Sequence, residues 1–159
     1  MKNKNQLQIR LAKLKDIEQL CALYKEFFAH NAKAQPKYYK EGEIVVEYPK
    51  GVIESEDEDI FVAICENTLV GFIHIQENKT PPYDSYVPCK YAEIIELFVA
   101  EPFRKQSIGL QFMAAVKKWS KERGLAYIEA MVLSNLGGEI SFYEKEIFDI
   151  KAHIMRCDL

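Results

Sequence analysis

The segment from Tyr91 to Arg123, YAEIIELFVAEPFRKQSIGLQFMAAVKKWSKER, constrains this chain more than any other. Its opening, Ala92 to Val99, is crowded with Ile, Leu, Phe and Val, the make-up of a largely buried strand. The turn AEPFRKQS follows, and apolar residues then recur at Ile108, Phe112, Ala115, Val116 and Trp119. That spacing keeps them on one helical face. Lys117, Lys118, Lys121 and Glu122 take the other face, and Gly124 marks the stop. The unit is a strand, a basic turn and an amphipathic helix.

Such a unit can hold an anion. The first N–H groups of a helix lack intrahelical acceptors, and the macrodipole makes that end partly positive. Arg104, Lys105, Gln106 and Ser107 lie just ahead of it, so a phosphate or pyrophosphate can be cradled there. A solvated basic turn would present the same residues. The turn is not a P-loop, because no Gly-Lys followed by Ser or Thr is present. Nor is it the dinucleotide G-x-G-x-x-G, since only Gly109 is there.

At 159 residues the chain has the size of one domain with a real core, and nothing in it suggests a linker, a repeat or a second domain. A net charge of −3 argues against a nucleic-acid binder, which carries a strongly basic face. No apolar run approaches the roughly 18 residues that span a bilayer. MKNKNQLQIR has positive charge but no apolar signal-peptide core. Cys21, Cys65, Cys89 and Cys157 are scattered without a C-x-x-C pair, as expected of reduced thiols in the cytoplasm. No metal-ligand spacing connects His30, His74 and His153.

Gln6 to Leu11 reads as a short strand, and Asp16 offers the start of a helix carrying Ile17, Leu20, Tyr24, Phe27 and Phe28. Ala32 to Asp59 is hard to assign and ends in ESEDED, either a solvated loop or a collar for a cationic amine. Ile60 to Cys65 and Leu69 to Gln76 flank Glu66-Asn67-Thr68 as a hairpin, with His74 on the face opposite Ile73 and Ile75. Glu77 to Lys90 is a Pro- and Tyr-containing loop that could cover the acceptor side. After the organising unit come a strand at Ala126 to Leu133, a short helix at Glu139 to Lys145, and a final strand within Phe148 to Cys157. The predicted order is β-α-(α)-β-β-β-α-β-α-β.

Arg104-Lys105-Gln106-Ser107-Ile108-Gly109 resembles the Q/R-x-x-G-x-G/A pyrophosphate loop of the GNAT superfamily of acetyl-CoA-dependent N-acetyltransferases. Leu97-Phe98-Val99 followed by Glu101-Pro102-Phe103 is similar to the family's strand and V-x-P-x-Y/F-R turn. Asn135, then Phe142-Tyr143-Glu144-Lys145, resembles its later N…FYEK segment. Ser107 replaces the usual Gly, Glu146-Ile147-Phe148 replaces LGF, and Asn135 stands one residue farther from the tyrosine than is commonest. The resemblance implies an α/β fold of the α+β type, with a mixed, mostly antiparallel central sheet flanked by helices.

It also implies acetyl transfer from acetyl-CoA to a primary amine of a small molecule or peptide, with no metal. The backbone of Leu97, Phe98 and Val99 would line the pantetheine arm, and Arg104, Lys105, Gln106, Ser107, Ile108 and Gly109 would meet the pyrophosphate. Asn135 and Tyr143 would be further cofactor contacts. Relatives commonly dimerise, although no stripe in this chain demonstrates a homodimer. The rival reading is a non-catalytic acyl-CoA-binding or regulatory domain of the same fold.

Acetylating an amine requires removing a proton from the ammonium and supplying one to the thiolate. An alkyl ammonium with pKa about 10.4 is neutral about once per thousand molecules at pH 7, a cost of roughly 4 kcal/mol. Glu93 and Glu96 are the candidate bases. Three positions apart, they would face opposite sides of a regular strand, and the resemblance favours Glu93. Tyr143 is the candidate general acid, a role the tyrosine of the matching segment commonly holds in the family.

Overall fold

The computed structural model describes residues 7–159, so the expected strand start at Gln6 lies outside the described residues. The elements are β1 (Gln8–Leu11), α1 (Ile17–Ala34), α2 (Glu47–Ile53), β2 (Glu58–Cys65) and β3 (Thr68–Lys79). They continue with β4 (Lys90–Val99), α3 (Ile108–Glu122), β5 (Ile128–Ala130) and α4 (Gly137–Lys145). The strands form one sheet in sequential order, antiparallel from β1 to β4, with β5 parallel to β4.

Local chemistry explains the frame. Cys65 pairs with Thr68 across a two-residue turn, and Glu66 and Asn67 both hold positive φ, as tight hairpins demand. At the start of α1, Arg10 grips buried Asp16 through two hydrogen bonds of 2.6 and 2.9 Å, while the Lys13 N–H donates to the same carboxylate. The Arg10 guanidinium therefore holds the Asp16 carboxyl below its usual range.

Alternation along the strands feeds two cores. Ile73, Ile75, Ala92 and Ile94 meet Ile108, Phe112, Met113, Val116 and Tyr143 on the α3/α4 face. Phe72, Val62, Ile60 and Phe98 meet Leu20, Leu23 and Tyr24 of α1 and Val52 of α2 on the other.

Two expectations fail. The stretch from Phe148 to Cys157 forms no strand. Phe148 leans on the α3/α4 core, but Ile150, Ile154 and Met155 stay exposed, because β5 spans only three residues and offers little ladder to join. The second concerns strand parity. His74 pairs with Glu96 and Ile75 pairs with Ile94, so Ile95 is an extra residue, a β-bulge. Ala92 and Ile94 belong to the α3/α4 core, and beyond the bulge Leu97 and Val99 pack against it too. Glu93 and Glu96 consequently share the α1/α2 face instead of pointing to opposite sides.

Candidate active site

The bulge coincides with a fork in the sheet. β5 pairs with β4 only from Ala92 to Ile94 and then departs, so Ile95 to Val99 have no strand neighbour on that side among the described residues. This open edge includes Leu97, Phe98 and Val99. It leads straight into the basic turn, where the Arg104 side chain is anchored by its Nε donating to the Val99 carbonyl at 2.8 Å. Its guanidinium stands 5.5 Å from the Phe98 ring centre.

The turn takes an unusual backbone course. Lys105 and Ser107 lie at φ of 60° and 63°, with Ser107 in the left-handed region at the start of α3. Alternation of this kind folds successive N–H groups toward one concavity. The first backbone bond into the helix is Gln111 N–H to the Ser107 carbonyl. Among the described residues, the N–H groups of residues 105–110 find no backbone acceptor. Six consecutive free donors, with the Lys105 charge and a helix N-terminus, make an anion cradle. Gln106 braces it from outside, donating to the Pro102 carbonyl at 3.0 Å. Gly109 admits the neighbouring helix α4: a Cβ there would stand 3.1 Å from the Phe142 ring.

Tyr143, next along α4, is buried in the α3/α4 core, edge-on to Phe142 and Phe148 at 5.4 and 5.2 Å. Burial pushes its phenol well above the ordinary value, and the Glu139 charge adds to the effect, so it is neutral at pH 7. No sealed side-chain N or O atom among the described residues lacks a partner.

Glu96 sits beside the bulge where the edge opens. Its Oε2 accepts the Tyr24 hydroxyl proton at 2.7 Å and lies 3.2 Å from His74 Nδ1. The other ring nitrogen, Nε2, is 2.8 Å from Glu58 Oε2, and the Tyr48 hydroxyl is 3.2 Å from Nδ1. Burial and then the Glu96 charge drive the Tyr24 phenol far up. Tyr48 is raised by burial first and by Glu96 and Glu58 next. Glu93 has a plainer setting: it accepts from Asn78 at 2.7 Å within the paired part of β4 and β5, opposite Glu129.

Asn135 is placed elsewhere. Its amide oxygen accepts from Gln35 at 3.0 Å and its amide nitrogen donates to the Ala34 carbonyl, so it ties the segment before α4 to the end of α1. The acidic run is divided as well. Glu58 meets His74 and Asp59 accepts the Trp119 indole N–H at 2.7 Å, leaving Glu54, Glu56 and Asp57 exposed. Residues 80–89 form a loop closed at its neck by Thr80 and Cys89.

The sequence reading assigned no role to His74 or Tyr48 and weighed Glu58 only as part of the ESEDED run. A signal for the bulge was present: the Ile94-Ile95 doublet breaks the alternation of β4. Tyr48 lies on α2, the bracketed helix of the predicted order, within the stretch that was hard to assign. Among the described residues no group of His, Cys, Asp and Glu is placed to hold a metal, and no helix is long and apolar enough to cross a membrane.

Comparison with known proteins identifies the family. The sequence model of the acetyltransferase (GNAT) family matches residues 17–147. An uncharacterized N-acetyltransferase from Methanocaldococcus jannaschii is 28% identical over 114 residues, which is 72% of this chain and 49% of that protein. The chain thus spans about half the length of this curated relative. A mutant of the BH1408 protein from Bacillus halodurans has a similar structure, with a TM-score of 0.90 at 19% identity, covering 96% of this chain and 99% of the other. The aminoglycoside N-acetyltransferase AAC(6')-Iy in complex with CoA gives a TM-score of 0.73 at 14% identity, covering 96% and 98%. At these identities the two structures speak to the fold alone. The family match covers most of the chain, and the protein belongs to the acetyltransferase (GNAT) family.

Proposed function

We propose that this chain transfers the acetyl group of acetyl-CoA directly to a primary amine of a small molecule or peptide, in the cytoplasm. The observation that carries the reading is the unpaired β4 edge running into the six free N–H groups of residues 105–110. A pantetheine arm is a thin chain of amides, suited to hydrogen-bond along Leu97, Phe98 and Val99 as an added strand does. The cradle and the Arg104 and Lys105 charges suit the pyrophosphate. Family membership supports this assignment, and so does the likeness in fold to an aminoglycoside N-acetyltransferase bound to CoA.

Glu96 is the better placed of the two candidate bases. It lies at the opening of the edge, among tyrosines, whereas Glu93 lies where β4 and β5 are still paired. Tyr143 supplies the proton for the departing thiolate. Asn135, engaged with the end of α1, has no part in the assignment. No enzyme nucleophile is needed, so Cys89 stays outside the reaction.

Thermal melting with coenzyme A, ATP and NAD in parallel tests the cofactor: a shift with coenzyme A alone is expected. A thiol-release assay with acetyl-CoA across polyamines, aminoglycosides, amino-acid amines and peptides then finds the acceptor. Tyr143→Phe and Glu96→Gln should each lower the rate about 10²- to 10⁴-fold, with Glu93→Gln much milder. Thiol release no faster than in buffer with every amine, alongside tight coenzyme A binding, would favour a regulatory acyl-CoA-binding domain.

A further inference from the structure

His74 is 2% exposed, yet it faces carboxylates on both sides. Nδ1 points at Glu96 of β4 and Nε2 at Glu58 of β2, at 3.2 and 2.8 Å. From α2, the Tyr48 hydroxyl approaches Nδ1 at 3.2 Å, and from α1, Tyr24 reaches the group through its bond to Glu96. The Glu58 and Glu96 side chains are 25% and 15% exposed, so water does little to screen this cluster. A neutral imidazole has one N–H and can donate to only one carboxylate; with that N–H on Glu58, Nδ1 is left to accept from Tyr48 and Glu96 loses the ring as a donor. A doubly protonated ring satisfies both at once, with charge-assisted bonds.

We propose that His74 is an imidazolium clamped between Glu58 and Glu96, a positioning residue that keeps Glu96 ionised and leaves its second oxygen free for the amine. The inference rests on the reading of Glu96 as the base. With Oε2 held by Tyr24 and His74, Oε1 takes the proton as the N–H bond of the ammonium breaks. The triad's net charge then rises from −1 to 0, and the proton leaves with the products. Glu58, which does not touch Glu96 in the network, acts through the ring alone.

Nitrogen-15 NMR of the histidine rings in the full chain tests the protonation state, with the His74 signals told apart from those of His30 and His153 by their absence from the His74→Gln spectrum. At pH 7 both His74 nitrogens should show protonated-type shifts, and Glu58→Gln should convert one of them to the unprotonated type. One protonated and one bare nitrogen in the wild type would overturn the proposal. The kinetic arm uses the best amine from the panel. His74→Gln and Glu58→Gln should lower kcat/KM about tenfold or more at pH 7 through loss of a charge-assisted bond, the deficit widening as pH falls. The sign follows because removing the cation makes Glu96 hold its proton to higher pH, moving the acid limb upward. Should His74→Gln fail to fold, Glu58→Gln decides alone. Unmoved acid limbs in these variants, while Glu96→Gln is crippled, would defeat the positioning role and leave the base intact. A Glu96→Gln enzyme with full activity would instead defeat the base assignment, whatever the ring spectrum shows.

Discussion

Gly71 is the position where a single methyl group should be felt at the candidate site. It pairs with Val99 across β3 and β4, and a Cβ there would fall 2.8 Å from the Phe98 carbonyl oxygen and 3.3 Å from Val99 Cα and Cγ2. The obstacle is backbone, so no side-chain rotation relieves it. Restoring ordinary contact at 3.4 Å means opening the two strands by about 0.6 Å at the residues assigned to the pantetheine arm. Crowding of this kind costs about 1–3 kcal/mol. For a chain of this size 2 kcal/mol is a fall in Tm of about 4–8 °C. Gly71→Ala should show that loss in a thermal melt and also a reduced coenzyme A shift, because the edge moves with the strand. Gly51→Ala is the control. It lies inside α2 with open space around its Cβ, so it should be neutral or stabilising by up to about 1 kcal/mol. A Gly71→Ala protein with wild-type Tm and a full coenzyme A shift would refute the reasoning.

Ser107 holds a left-handed backbone that glycine adopts more cheaply. Ser107→Gly should raise stability by up to about 1 kcal/mol in denaturant unfolding and keep coenzyme A binding; a loss of stability would mean the hydroxyl matters. Asp16→Asn should cost about 2 kcal/mol by removing charge-assisted bonds from Arg10 and the Lys13 N–H. The folded carboxyl is held below its unfolded value, so this contribution is complete above about pH 4 and fades as pH falls further. Urea midpoints of the two proteins should therefore converge below that pH, and a constant gap would count against the pair.

Much of this architecture is written in short-range pattern. The β4–α3 unit, the Glu66-Asn67 hairpin turn and the apolar face of α1 follow from periodicity and turn chemistry, which act within a few residues. Parity across β4 does not. One inserted residue at Ile95 reverses every later side chain, and alternation gives no warning unless the doublet is read as a bulge. Helix α2 carries Pro49 and Gly51 inside seven residues, so its existence depends on packing Val52 against α1 and β2, a tertiary effect. The last strand failed for the opposite reason: Ile150 and Ile154 alternate well, but a strand needs an edge to join, and β5 is too short to give one. The cradle was legible as residues 104–109, while its bent backbone was not. The Glu58, His74 and Glu96 cluster joins three strands across 38 residues, a distance no local pattern spans.

The fork between β4 and β5 has a consequence for handling the protein. Beyond Ile94 one edge of a central, apolar strand has no strand partner among the described residues, which is a template on which a stray chain can grow. Whatever fills the gap also hides the template. On the proposed reading, preparations without coenzyme A should clump sooner on warming or storage than those supplied with it.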